Sequence, residues 1–299
     1  MSRRFNPALK KLGFQPSDKV VIFHADDLGM AQATLDAYRD LLEVGLLSSA
    51  SLMLPCAWAP AAAELARAHP QADLGVHLTL TSEWRSYRWG PLSTRDPASG
   101  LLDDQGYFPA SVTALHAAAK PEAVQTELSA QVRRAQDWGL TLSHIDAHMG
   151  AVAHPKYLPG CINMALSARL VTMFPRMNAA AWRAQGFDTL AAVAAETYGA
   201  ALEWRGLPLV DHLVSLPHDS GGDHAALTRQ ILRELPPGLT HFILHPACDT
   251  PELRAITPGW EGRVANYRAF TDRSLLEFVR AEGVQITSYR ELQALLPAS

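Results

Sequence analysis

Short apolar runs alternate with alanine-rich helical stretches through the first third of the chain. Residues 20–24 read as a buried strand, residues 31–43 as a helix ended by Gly45, and residues 48–54 as a strand closed by Pro55. Residues 60–68 read as a helix with Pro60 suited to its first turn, and residues 74–80 return to strand character. Strands separated by helices pair in parallel, because each crossover carries the chain back to the same end of the sheet. The pattern therefore predicts an α/β fold with helices covering a parallel sheet.

The alternation stops at residues 81–110. That segment holds Trp84, Tyr87, Trp89, Tyr107 and Phe108 among Gly, Pro, Ser and Asp. A loop of this length is usually functional or disordered, and aromatics argue against disorder. It reads equally as a lid, as a substrate wall, or as a loop packed on its own aromatics. Beyond it, helices are expected over residues 121–138, from His154-Pro155 onward, and over 188–201, 225–235 and 272–282. Strands are expected over residues 142–146, 170–174, 240–245 and 285–288. Residues 203–220 give no clear pattern. Neither a repeat nor a linker is visible, so residues 1–299 are expected to form a single barrel-like β/α domain of about seven or eight mostly parallel strands.

The net charge of −4 offers no basic surface for nucleic acid or anionic membranes. No apolar run approaches the roughly 20 residues of a membrane span. Residues 1–7 carry the charges of a signal peptide without the apolar stretch that should follow. Cys56, Cys161 and Cys248 are odd in number and include no CxxC pair, so they read as buried reduced thiols. The expected setting is the cytoplasm, with a small-molecule substrate, no nucleic-acid or membrane partner, and room for a homodimer.

Chemistry-bearing side chains gather at the ends of four predicted strands: Asp26-Asp27, His77, His144-Ile145-Asp146-Ala147-His148, and His245 ahead of Pro246. Strand ends are where barrel enzymes collect active sites. Carboxylate and imidazole bind a catalytic divalent metal while leaving a position for water. In Asp26-Asp27, one carboxylate could bind metal while its neighbour acts as a base. The same pair could instead form a turn or a helix cap. His77 and His245 could each be hydrogen-bonded structural residues. Residues 144, 146 and 148 share one strand face, which brings three polar groups together.

The ordered motifs Ala25-Asp26-Asp27-Leu28-Gly29, Gly75-Val76-His77-Leu78-Thr79-Leu80-Thr81, His144-Ile145-Asp146-Ala147-His148 and His245-Pro246 resemble those of the YdjC/ChbG-like carbohydrate deacetylases. The similarity spans residues 20–290. The resemblance implies a distorted TIM-like barrel and one divalent ion, zinc or magnesium, held by Asp27, His77 and His148. It further implies Asp26 as catalytic base, His245 as acid, and Arg176 as a group that orients or balances the site. His144 and Asp146 would support the ligands from behind. The chain departs from the family pattern in three places. His24 stands where Asn is frequent, Met149-Gly150-Ala151 follows the histidine motif, and Asn266 stands where Glu often follows the arginine.

The implied reaction is hydrolysis of an N-acetyl group from an amino sugar, with Trp84, Trp89, Tyr107 and Trp260 as possible platforms for sugar rings. Other readings remain: a metal-dependent hydrolase of another amide or a phosphoester, a metal-free glycosidase, or a sugar-binding protein without activity. Adjacent aspartates suit the glycosidase poorly, since its carboxylates should stand roughly 5–9 Å apart across the sugar.

Overall fold

A computed structural model describes residues 4–184 and 188–297. Its strands, in chain order, are β1 Lys19–Leu28, β2 Ser49–Leu52, β3 Leu74–Leu78, β4 His144–Ala147, β5 Val171–Thr172, β6 His212–Ser215, β7 Gly238–Leu244 and β8 Gln285–Ile286. They form one parallel sheet in the order β5-β4-β3-β2-β1-β7-β6. β8 pairs with Val20 and Val21 at the start of β1, below the point where β2 takes over at His24. The two ends of this path also meet. A parallel bridge joins Pro175, just past β5, to Val210, just before β6. The sheet is thus curled into the distorted barrel that the alternation and the motifs predicted.

Strand β1 shows how the barrel interior is layered. Successive strand side chains face opposite ways. Val21, Phe23 and Ala25 face the covering helices, where Phe23 meets Phe242 and Phe270 at ring distances of 5.4 Å each. Val20 and Ile22 face inward and join Leu9, Val171, Val210, Leu239 and Leu292 in an apolar floor. Continuing up the same inner face come His24 and then Asp26. The barrel therefore turns from dry hydrocarbon to imidazole to carboxylate along a single strand.

Residues 81–110 lie packed, with one 3₁₀ turn at Pro97–Ser99. Glu127, fully buried on the helix Pro121–Asp137, accepts hydrogen bonds from the Leu92 and Ser93 N–H groups. Arg88 pairs with Asp103 at 2.7 Å. Trp89 and Phe108 are buried, and the Trp89 indole donates to the Thr81 carbonyl, so Trp89 is packing and not an open sugar platform.

Several elements escaped the sequence pattern. The helices Val112–Ala118, Pro251–Ile256, Trp260–Thr271 and Tyr289–Gln293 were not foreseen, and β6 lies in the stretch that gave no pattern. The expected strand over 170–174 narrows to two residues, while β1 runs four residues further than expected and includes both aspartates. Among the described residues, no helix is long and apolar enough to cross a membrane. All three cysteines are free; Cys56 and Cys161 are buried and Cys248 is partly so.

Candidate metal centre and active site

Neighbouring aspartates on a strand should point to opposite faces, yet Asp26 and Asp27 reach one pocket. The backbone explains this. Asp27 adopts a left-handed conformation with φ of 63°, which Asp tolerates better than most residues. The β1–β2 register slips between Ala25 and Leu28 at the same place. Gly29 follows with φ of 85°, and a Cβ there would come within 2.8 Å of Leu52 Cδ1. The turn rotates the Asp27 carboxylate back over the barrel mouth.

There it meets two imidazoles. Asp27 Oδ1 lies 3.4 Å from His77 Nε2 and 3.2 Å from His148 Nδ1. His77 comes from β3. His148 comes from the bend after β4, where Met149 has φ of 54° and breaks the strand. Ligand atoms of the three residues lie within 4.8 Å of one another, and all three are buried.

Each imidazole is turned toward Asp27 by a second carboxylate. His77 Nδ1 donates to Asp146 Oδ1 at 2.8 Å, leaving Nε2 to face inward. His148 Nε2 donates to Glu83 Oε2 at 3.0 Å, leaving Nδ1 inward. Carboxylates that hold metal-binding histidines in one orientation are a recurrent feature of metal sites. On the far side of Asp27, Oδ2 lies 2.8 Å from Arg263 Nη2.

These donors fit a cation. Both Asp27 oxygens are buried without a well-formed hydrogen bond, although imidazole nitrogens stand near Oδ1 and the Arg263 guanidinium stands near Oδ2. Burial opposes ionisation of Asp27, but Arg263, His148 and His77 hold its carboxyl well below the usual range. For His148 burial works the other way, yet Asp27 and Glu83 carry its pKa up to about 9. Four carboxylates around two imidazoles thus create a demand for positive charge that protons or a divalent ion can meet.

Among the described residues two other clusters have metal-ligand spacing, His24-His144-Asp146 and Asp26-His77-Asp146. Both depend on Asp146, whose oxygens are already engaged. One accepts from His77, and the other accepts from Ser51 at 2.9 Å and faces His24 Nε2 at 2.8 Å. Asp27, His77 and His148 form the better cage.

Asp26 sits at the lip of this cage, its Oδ2 4.0 Å from His77 Nε2 and 3.6 Å from His245 Nε2. Burial raises its pKa, with His77 and His24 opposing. His245 arrives at the end of β7 with its N–H bonded to Asn266 Oδ1 at 3.1 Å, and its ring lies 4.4 Å from that of His218. Burial drives the His245 pKa well below 6.5, with Asp27 opposing and Arg263 and His218 reinforcing.

The structure therefore brings together Asp26, Asp27, His77, His148 and His245, with Asp146 behind His77. His144 lies one layer lower, stacked on Tyr289 at 4.0 Å and bonded to Ser143 Oγ. Arg176 is not brought to this cluster. Its guanidinium pairs with Glu203 and Asp211, each at 2.5 Å, on the β5–β6 side. The arginine beside the carboxylates is Arg263, from the unforeseen helix Trp260–Thr271. Glu83 was also missed; a carboxylate six residues past His77 in an aromatic-rich loop was the available signal.

The family model for YdjC-like proteins matches residues 20–281. The chain belongs to the YdjC-like family. Among its relatives, a carbohydrate deacetylase of Thermus thermophilus is 35% identical over 278 residues, covering 90% of this chain and 94% of the relative. A carbohydrate deacetylase of Thermoanaerobacter pseudethanolicus is 26% identical, covering 92% and 100%. A solved Enterococcus faecalis structure assigned to cellobiose-phosphate cleavage superposes with a TM-score of 0.74 at 20% identity, covering 92% of this YdjC-like chain and 99% of its own. That likeness establishes the fold.

Proposed function

We propose that this YdjC-like protein is a metal-dependent hydrolase that removes the N-acetyl group from an amino sugar or oligosaccharide and releases acetate. The observation that carries the reading is the convergence of Asp27, His77 and His148 on one point, with Asp26 and His245 on its open side. The 35% identity to a carbohydrate deacetylase over nearly the whole of both chains supports the substrate class.

Asp27, His77 and His148 would hold the ion, and two nitrogens with one oxygen suit zinc or a similar transition metal better than magnesium. When bound, a divalent cation supplies a Lewis acid for the acetyl oxygen and raises the acidity of water. Asp26 takes a proton from the water whose oxygen attacks the acetyl carbon. Its raised pKa suits it to hold that proton through the step. The C–N bond then breaks, and the departing nitrogen must be protonated, because an amide anion cannot leave near neutral pH. His245 is neutral at rest, so the proton it delivers is one received during turnover, and Asp26 at 3.6 Å is the adjacent source. Acetate and a free amine result. Trp84, half-buried, has the Arg263 guanidinium 5.6 Å from its ring centre and the Tyr87 ring stacked at 6.1 Å, so its ring is engaged by its own neighbours.

The test is metal analysis of the purified protein together with an acetate-release screen over N-acetylated mono- and oligosaccharides, with phosphate release from sugar phosphates followed in parallel. Acetate release that a chelator abolishes is the expected result. Chelator-insensitive turnover, or phosphate release in its place, would overturn the proposal.

A further inference from the structure

Directly beneath the cage, His24 makes contacts that neither the metal nor the proposed reaction accounts for. It is fully buried on the inner face of β1. Its Nε2 lies 3.1 Å from Asp26 Oδ1, 2.8 Å from Asp146 Oδ2 and 3.1 Å from Ser51 Oγ. One ring nitrogen therefore touches both the proposed base and the carboxylate that orients His77.

The ring is confined on its other sides. It packs edge-on against His144 at 5.1 Å and Tyr289 at 5.9 Å, and lies 4.8 Å from His241. These neighbours are fixed in turn. The Tyr289 hydroxyl is hydrogen-bonded to His241 Nδ1 at 2.9 Å, and His144 Nδ1 contacts Ser143 Oγ at 2.7 Å. On β3, opposite His144, the residue is Gly75, and a Cβ at that position would collide with the His144 ring. The barrel thus gives up a side chain on β3 to admit an aromatic layer that cradles His24.

We propose that His24 is a positioning residue that ties Asp26 to Asp146, so that one buried imidazole sets both the base and the orientation of the ligand His77. Without it, the two buried carboxylates would share only the His77 imidazole, 2.8 Å from Asp146 but 4.0 Å from Asp26, and repulsion would turn them apart. Rotation of Asp146 releases His77 Nδ1, and rotation of Asp26 moves its oxygen from the place where water is deprotonated. This rests on the proposed reaction for the role of Asp26, but the link from His24 through Asp146 to His77 bears on metal binding alone.

The experiment compares wild type with His24→Phe, which keeps an aromatic ring in the cradle without its N–H, and with His24→Gln, whose amide nitrogen reaches about where Nε2 lies. Zinc affinity of the metal-free full chain is measured by calorimetry, and kcat and KM by acetate release. His24→Phe is expected to weaken zinc binding about 10–100-fold and to lower kcat by a similar factor at near-constant KM, as for other groups that support metal ligands. His24→Gln should recover most of both. Zinc affinity and kcat of His24→Phe within about twofold of wild type would overturn the proposal, since that lies far below the effect expected of such a group. If the wild type releases no acetate, yet binds zinc more tightly than His24→Phe does, the positioning role stands and the deacetylase reading falls. Should the phenylalanine variant not fold, nitrogen-15 NMR of the wild type decides. A proton on His24 Nε2 is expected, and a bare Nε2 would overturn the link.

Discussion

Along β1 to β4 the strands, of ten, four, five and four residues, pair in parallel in regular register except for the slip between Ala25 and Leu28 that turns Asp27. Three of these strands deliver Asp26, Asp27, His77, Asp146 and His148, each flanked by a paired strand on both sides. On the opposite wall, β5 has two residues and reaches β6 only through the bridge between Pro175 and Val210. That wall carries the Arg176 pairs to Asp211 and Glu203 in place of ligands. The contrast follows from what each task requires. Ligand atoms must be held to a fraction of an ångström, and paired strands do this better than loops. Closing a barrel needs only enough contact to exclude water, and buried ion pairs can supply it.

If the regular wall holds the chemistry, the largest effect should come from its base. Asp26→Asn is expected to lower kcat about 10²–10⁴-fold while metal content stays at the wild-type level. Acetate-release kinetics with metal analysis of the same preparation checks both halves. Loss of metal along with activity would move Asp26 from base to ligand.

Arg176→Ala sharpens the comparison from the other wall. Its guanidinium is largely buried, and removal takes the cation from Asp211, which keeps its hydrogen bonds from Asn6 Nδ2 and the Leu239 N–H, so a loss of about 2 kcal/mol in stability is expected, as for a hydrogen bond to a charged group. Urea unfolding would measure it, with kcat of the folded enzyme unchanged. A fall in kcat comparable to that of Asp26→Asn would erase the functional distinction between the walls. Next in size is Glu83→Gln, on the loop that follows β3. It should weaken metal binding about 10–100-fold through the freed His148 ring, and unchanged affinity would show that Asp27 alone orients His148.

The same contrast explains what could be read from the residues. Where strands pair on both edges and are covered on both faces, burial imposes apolar runs, and β1, β2, β3 and β7 were legible within a few residues. Polar side chains at their ends then stood out against hydrocarbon. β6 left no such trace, because its four residues alternate between exposed and half-buried. The helix Trp260–Thr271 was missed for a related reason: its inner face includes Arg263 and Asn266, so polar residues occupy positions where a core helix would show apolar ones. Arg263 reaches Asp27 from that helix and from no strand end, whereas Arg176, the arginine that the family resemblance implied, lies beyond β5 on the other wall. His24 was visible only as a departure from the family pattern; its contacts depend on β2, β4 and β7 meeting inside the barrel, which no local pattern encodes.

The long loop, anchored to the regular wall, should respond weakly to pH. Burial opposes ionisation of Asp103, but the Tyr107 N–H, Arg88 and the Gln105 N–H together outweigh it and hold its carboxyl below the ordinary value. A group with a depressed folded pKa stabilises above its unfolded value of about 3.9 and loses that contribution as pH falls through the folded value. Arg88 also donates to the Phe108 carbonyl at 2.8 Å, so loosening the Arg88–Asp103 pair at 2.7 Å frees the turn carrying Tyr107 and Phe108. Hydrogen exchange over residues 103–108 should therefore show less protection at pH 3 than at pH 6, after correction for the intrinsic rate, while β1 to β4 stay protected. Asp103→Asn should remove most of that pH dependence. Equal pH dependence in the variant would mean that the loop is held by Glu127 beneath Leu92 and Ser93, and that Asp103 only decorates its surface.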